Sequence, residues 1–330
     1  MQISNNYFKP LNSILNCQTK EIDFTVSNVL TILSYFTLII PAFVYLYGRI
    51  KSLTPDSQDI LLAKKILADG GNTDAQFEVG QIYRKQKNTD EAIRYLKLAI
   101  ENNHVEACTE AGALCYTEGS IDEAVKFIEE AVERGSLKAK AILGAMYLTG
   151  EGVEEDKVKG FSLIKEASAS ALNNDEIFND LAVCYKNGYG VQKNPQLALE
   201  YYKKAMEGGS IIAMYNLGNA YLNGEMGLEK NEVEAFKLYE KSAELGLGQA
   251  IYQLGYLHDR GIGVKENKEK AFSCFEKSAE KGDLQGIYAL GLAFQFGYGV
   301  KKDLAKAKQY YQIASEKGSI DAKTRLTVDF

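Results

Sequence analysis

The chain has 330 residues, of which 46% are hydrophobic and 25% are charged, with 29 glycines and only 4 prolines. This composition is typical of a globular protein and excludes a collagen-like or low-complexity chain. The formal net charge of −6 disfavours nucleic acid as a partner, because an acidic surface repels a phosphate backbone.

The first predicted element is a hydrophobic segment, residues 26–47, which no charged residue interrupts. At about 1.5 Å per residue, a helix of this length crosses the hydrocarbon core of a bilayer. We therefore predict a short N-terminal segment over residues 1–25 and one transmembrane helix over residues 26–48. Arg49 and Lys51 follow the span, which predicts a single-pass membrane protein whose remaining chain lies on the cytoplasmic side. The alternative is a hydrophobic helix that packs on the rest of the chain.

From about residue 55 onward the chain is self-similar. One copy of the repeat places Ala213, Leu217, Gly218 and Tyr221 at relative positions 0, 4, 5 and 8, and six other copies follow this pattern of residue types approximately. The copies recur every 32 to 38 residues, a period typical of helical solenoids. Each copy continues with a second amphipathic helical pattern, which a glycine ends.

Four copies carry Gly-x-Gly-Val between their two helical patterns, for example at residues 188–191 and 297–300. A phosphate-binding loop of this kind follows a strand, whereas the segment before this motif is predicted to be a helix. We therefore interpret the glycines as turn residues with positive φ. Asn194 and Pro195, which follow the first of these motifs, are typical of a helix N-cap and a first helical position.

The repeated residues, A-x-x-x-L-G-x-x-Y-x-x-G-x-G-V followed by A-x-x-x-[YF], resemble the Sel-one-like repeat family, a subclass of tetratricopeptide-type repeats. The resemblance covers residues 72–318 in about seven copies and implies an all-α fold, a right-handed α-solenoid. The first two copies lack Gly-x-Gly-Val and are closer to ordinary tetratricopeptide repeats. Residues 55–71 are predicted to form an N-terminal capping helix, and residues 319–330 a C-terminal capping helix.

The sequence contains no pattern typical of catalysis, metal binding or cofactor binding. Its five cysteines are irregularly spaced and form no CxxC pair, which argues against a zinc site or a disulfide framework. His104 and His258 lack metal-binding spacing, and His258 occupies the aromatic position of its repeat, which predicts a packing role. We expect no catalytic residues, metal, cofactor or small-molecule substrate, and the chain is not predicted to be an enzyme.

By resemblance to tetratricopeptide domains, three positions of the first helix in each repeat face a concave groove. Tyr and Asn recur at these positions, and such side chains can bind an extended peptide by stacking and hydrogen bonding. The alternative is that the tyrosines only pack between repeats. The predicted partner-binding residues are Asn179, Lys186, Tyr215, Asn219, Tyr252, Tyr256, Asp259 and Tyr288.

We predict a membrane-anchored helical-repeat adaptor that serves as a scaffold for a membrane-associated complex. Its groove would bind a protein partner, either an extended peptide or a folded protein that could be basic. One alternative is an immunity protein or inhibitor that wraps and neutralises a specific toxin or effector, because an acidic solenoid suits a basic target. An alternative of another class is a hydrolase of peptidoglycan or β-lactams, but this chain lacks the regular cysteine pairs of such relatives.

Overall fold

The computed structural model describes residues 57–169 and 175–329, whose regular secondary structure is α-helical. The predicted N-terminal segment and the predicted span over residues 26–48 lie outside the described residues. Among the helices of the described ranges, none is both long and apolar enough to cross a bilayer. The chain divides into two compact units, Met1–His104 and Val105–Phe330.

In the first unit the structure describes α1 (Ser57–Asp69), α2 (Thr73–Lys85) and α3 (Thr89–Glu101). These helices share a buried core that includes Ala68, Val79 and Tyr95. The hydroxyl of Tyr95 donates to a carboxylate oxygen of Asp69 at 3.1 Å, so the large buried ring keeps a partner for its polar end. Only residues 86–88 join α2 to α3, in a copy that lacks Gly-x-Gly-Val.

The second unit contains a succession of helix pairs, in which we call the first helix A and the second B. The A helices are α4 (Val105–Thr117), α6 (Leu137–Thr149), α8 (Asp175–Asn187), α10 (Ile211–Asn223), α12 (Gly248–Arg260), α14 (Leu284–Phe296) and α16 (Ile320–Val328). The B helices are α5 (Ile121–Glu133), α7 (Lys157–Ala169), α9 (Pro195–Glu207), α11 (Glu232–Glu244), α13 (Lys268–Glu280) and α15 (Leu304–Glu316). The predicted helical repeat is confirmed for this unit.

Within a repeat, the A and B helices approach most closely where the A helix carries glycine. A Cβ atom on Gly218 would lie 2.7 Å from Cε1 of Tyr239, and one on Gly291 would lie 2.5 Å from Cε1 of Tyr311. Both tyrosines are 0% exposed. In these two repeats the missing side chain on the A helix therefore creates the space that a large B-helix ring fills. Ile128 and Ile164 fill the corresponding space beside Gly112 and Gly144.

The Gly-x-Gly-Val segments are turns with left-handed glycines, as predicted. Gly297 has φ 78° and Gly299 has φ 66°, a region that residues with a Cβ rarely adopt. In the turn before α9, Asn194 caps the helix by accepting from the backbone N–H of Leu197 at 3.0 Å. The predicted N-cap is therefore confirmed, and Pro195 occupies the first turn of α9.

The second glycine of each turn also touches the preceding repeat. A Cβ atom on Gly299 would overlap the backbone carbonyl of Lys268, the first residue of α13, and one on Gly190 would overlap that of Lys157, the first residue of α7. The turn of one repeat therefore rests directly on the first turn of the preceding B helix. At Gly190, Gly263 and Gly299 this contact is made with backbone atoms, whereas Gly152 meets side chains of α5.

Candidate protein-binding surface

The predicted tyrosines lie along the A helices, and three of them, Tyr215, Tyr252 and Tyr288, pack against the B helix of their own repeat. Tyr215 lies 5.8 Å from the ring centre of Tyr239, and Tyr252 lies 5.8 Å from that of Phe275. Both are half-buried, and burial raises the pKa of the Tyr252 hydroxyl. Packing is therefore part of their role, and the parts of these side chains that remain exposed contribute to the surface made by the A helices.

Two polar residues of the A helices, the half-buried Asn219 and the buried Gln295, accept hydrogen bonds from buried tyrosines. The hydroxyl of Tyr239 donates to Oδ1 of Asn219 at 2.7 Å, and that of Tyr311 donates to Oε1 of Gln295 at 2.7 Å. Gln295 in turn donates through Nε2 to Asp329 at 3.0 Å. The amide nitrogen of Asn219 therefore points away from its tyrosine, whereas that of Gln295 already has a partner near the end of the chain.

Asn179 forms a contact between two neighbouring A helices, α8 and α10. Its side chain is 7% exposed, and its Oδ1 accepts from Nδ2 of Asn216 at 3.1 Å. Beside it, burial raises the pKa of the Asp180 carboxyl to about 6. The repeat pattern gave no signal for Asp180 or Asn216, because both lie outside the three positions predicted to face the groove.

The charged residues of the predicted set are paired. Nζ of Lys186 lies 2.7 Å from a carboxylate oxygen of Glu225, and Nζ of Lys268 lies 3.1 Å from Oδ1 of Asp259. The first pair joins α8 to the turn that follows α10 in the next repeat. The second joins α12 to the first residue of α13 in the same repeat. Neither Lys186 nor Asp259 presents an unpaired charge to a partner.

Tyr288 lies at the C-terminal end of the same surface. Its ring lies 5.7 Å from that of Tyr311, and its side chain lies beside Arg325 of α16, where it raises the pKa of that guanidinium. The last helix therefore covers this tyrosine in part.

Four of the predicted residues make the fewest polar contacts with the rest of the chain. We call them the groove cluster: Tyr215, Asn219, Tyr252 and Tyr256.

The A and B helices around this cluster differ sharply in charge. Neither α10 nor α14 contains Asp, Glu, Lys or Arg, and α12 contains two such residues. In contrast, α11 and α13 contain six each. The A helices instead carry side-chain amides, so the cluster lies in a surface that is polar but nearly uncharged. The amides are Asn216, Asn219, Asn223, Gln249, Gln253, Gln285 and Gln295.

His258 lies at a junction between repeats rather than on this surface. It is 8% exposed and packs edge-on against Phe236 of the preceding B helix, with ring centres 5.4 Å apart. Phe294 makes the same contact with Phe272 one repeat later, also at 5.4 Å. The predicted packing role of His258 is therefore confirmed. Its Nδ1 is buried without a hydrogen-bond partner among the described residues.

We expect this histidine to make the fold weaker in acid. Burial, followed by the positive charge of Lys270, lowers the pKa of His258 below its ordinary value. The unfolded chain therefore binds a proton near pH 6.5 that the folded chain resists, and stability falls as the pH decreases through that value. His258→Phe, which copies the next repeat, should remove this part of the pH dependence. Urea unfolding at pH 7 and pH 5 measures the change in the free energy of unfolding between the two pH values. An equal change in the parent protein and in His258→Phe would contradict the assignment.

Two family models match the chain. The model described as Sel1 repeat covers more than half of it, and the model described as tetratricopeptide repeat matches residues 73–103, within the first unit. No curated protein matches the chain. The segments matched by the Sel1 repeat model are residues 137–171, 179–210, 211–247, 248–283 and 284–319.

Solved structures give the same picture of the fold. A Sel1 repeat protein from Oxalobacter formigenes is 30% identical with a TM-score of 0.56, over 65% of this chain and 86% of that one. A protective antigen of uropathogenic Escherichia coli with an SLR fold is 28% identical with a TM-score of 0.52, and the match spans 81% of this chain but only 58% of the antigen. The immunity protein Pa5087 from Pseudomonas aeruginosa is 26% identical, over 61% of this chain and 75% of that one, but its TM-score of 0.46 is too low to support a functional argument.

Proposed function

The chain belongs to the Sel1 repeat family, and from this premise we propose that it is a membrane-anchored adaptor whose A-helix surface binds a protein partner. The observation that carries the proposal is the groove cluster, which lies in a nearly uncharged surface of amides and tyrosines between strongly charged B helices. Repeat arrays of this kind bind through an extended surface that many repeats build together. Aromatic residues with a polar end are common at the energetic centres of such interfaces.

The membrane anchor in this proposal depends on the sequence. Residues 26–47 contain no charged residue, and Arg49 and Lys51 follow them. In the proposal this segment holds the repeats near the cytoplasmic surface of a membrane. The short stretch before α1 would keep the array close to the bilayer, where it could assemble a membrane-associated complex.

The alternative role, neutralising a basic toxin or effector, draws its support from the net charge of −6. The distribution of charge bears on where such a target would bind. Because α10 and α14 carry no charged residue and α11 carries four acidic and two basic residues, electrostatic attraction would act at α11 rather than along these A helices. The charges of α13 balance, with three acidic and three basic residues. A basic target would therefore use a different surface from the groove cluster.

Photocrosslinking in cells tests the adaptor proposal. A photoreactive amino acid at position 256, where Tyr256 is 37% exposed, should form an adduct with one discrete protein in the membrane fraction. The same amino acid at the exposed position 241 of α11 is the matched control and should give none. Equal adducts from both positions would exclude the A-helix surface as the binding surface. Deleting residues 1–53 should move the chain to the soluble fraction, and persistence in the membrane fraction would contradict the anchor.

A further inference from the structure

The groove cluster has properties that restrict the chemistry of its partner. We propose, building on the adaptor function above, that this surface binds an extended peptide segment without charged side chains and holds it mainly through its main chain. Three observations carry this inference: the near absence of unpaired charge, the fixed orientation of Asn219, and the partial burial of the tyrosine rings.

The first observation concerns charge. A charged side chain that docks on this surface loses water and needs an opposite charge to compensate for it. The surface offers none that is unpaired along α10 and α14, which lack charged residues, and Asp259 of α12 is already held by Lys268 at 3.1 Å. A segment of uncharged residues binds without this cost, and a segment rich in Lys, Arg, Asp or Glu does not.

The second observation is the orientation of the Asn219 amide. Tyr239 is 0% exposed and donates its hydroxyl proton to Oδ1 of Asn219 at 2.7 Å. Because the oxygen is occupied, the two Nδ2 hydrogens are the groups that Asn219 offers to a partner. A donor held in this way is suited to an acceptor such as a main-chain carbonyl, and its orientation is fixed before binding.

The third observation separates a peptide from a sugar or a nucleobase. Stacking ligands need an open aromatic face. Tyr215 and Tyr252 are half-buried and pack on Tyr239 and Phe275, so part of each ring is already covered. Within the groove cluster only Tyr256 is exposed, at 37%. This partial burial disfavours a stacked sugar or nucleobase and makes an extended peptide segment the better match.

The geometry also sets the size of the segment. Packed helices lie about 8–10 Å apart, and an extended chain advances about 3.3–3.6 Å per residue. Roughly three residues therefore span one repeat, and a segment of about six to nine residues crosses α10, α12 and α14.

A peptide selection tests the proposal. The full chain in detergent would be used to select from a display library of random peptides about 12 residues long, enough to exceed the segment expected. Binding of the most enriched peptide would then be measured by fluorescence anisotropy. We expect enriched peptides that lack charged residues at their central positions and affinities that change less than about twofold between about 50 and 500 mM NaCl.

Two matched variants show where the peptide binds. Asn219→Asp keeps the oxygen that Tyr239 requires but removes the Nδ2 donors, and it should weaken binding by about tenfold or more. Gln309→Glu makes the same kind of change at an exposed position of α15 and should leave the affinity unchanged. Circular dichroism of both variants would show that each remains folded.

Three results would overturn the inference. They are enrichment of Lys/Arg-rich or Asp/Glu-rich peptides with strong salt dependence, unchanged affinity in Asn219→Asp, and no peptide enrichment at all. If position 256 still crosslinks a protein partner in cells, the adaptor function stands and only the partner chemistry is wrong. If the crosslink is also missing, the adaptor function itself fails.

Discussion

Replacing Gly299 with alanine is expected to lower the free energy of unfolding by about 3–5 kcal/mol, because two penalties coincide there. The residue has φ 66°, which an alanine adopts only with strain. Its Cβ would also overlap the backbone carbonyl of Lys268, and neither side of that contact is a flexible side chain. The turn would have to lift from α13, which would break the junction between the last two complete repeats.

Gly297, in the same turn, provides the matched control. Its φ is 78°, so alanine is strained there as well, but the nearest atom to the added Cβ would be the Val300 carbonyl oxygen at 3.5 Å. Gly297→Ala should therefore cost only the conformational term, about 1 kcal/mol. Urea unfolding of the full chain, followed by circular dichroism, compares the two. Similar losses of free energy of unfolding in the two variants would show that positive φ alone explains the need for glycine at position 299. The contact between this turn and α13 would then not be rigid.

Replacing Tyr239 with alanine should have an effect of similar size for a different reason. The side chain is 0% exposed and lies directly beneath Gly218. Removing it leaves a large cavity and leaves Asn219 without its buried donor, and truncation of a buried aromatic costs about 3–5 kcal/mol. Because each repeat contacts only its neighbours, hydrogen exchange should rise in α10 and α11 before it rises in the first unit.

Two further variants separate packing from hydrogen bonding. Tyr239→Phe keeps the ring and loses only the hydrogen bond to Asn219, so it should cost about 1 kcal/mol. Tyr298→Ala removes a tyrosine that is 49% exposed, and it should cost about 0.5 kcal/mol. If Tyr239→Ala cost no more than Tyr298→Ala, the pairing of glycine with a buried ring would not be the centre of the repeat core.

The helical repeat, its turns and its family could be predicted from the sequence because they depend on local properties. Helical periodicity is set by neighbouring turns of one helix, and the left-handed conformation of Gly188 or Gly297 is set by the missing Cβ. The capping role of Asn194 depends on a backbone group only three residues away. The packing role of His258 was also predictable, because its position matches that of Phe294 in the next copy. The predicted span over residues 26–48 and the membrane location remain predictions.

Only the tertiary structure decided whether each predicted groove residue is paired within the chain or open to a partner. Lys186 and Asn179 fill positions that the repeat pattern assigns to the groove, yet they are held by Glu225 and Asn216 from the next repeat. Tyr288 likewise lies beside Arg325 of α16. These partners lie 37 to 39 residues away in sequence, and no local rule relates their side chains. The sequence by itself therefore determined which residues line the A helices, and packing between repeats decided which of them remain open to a partner.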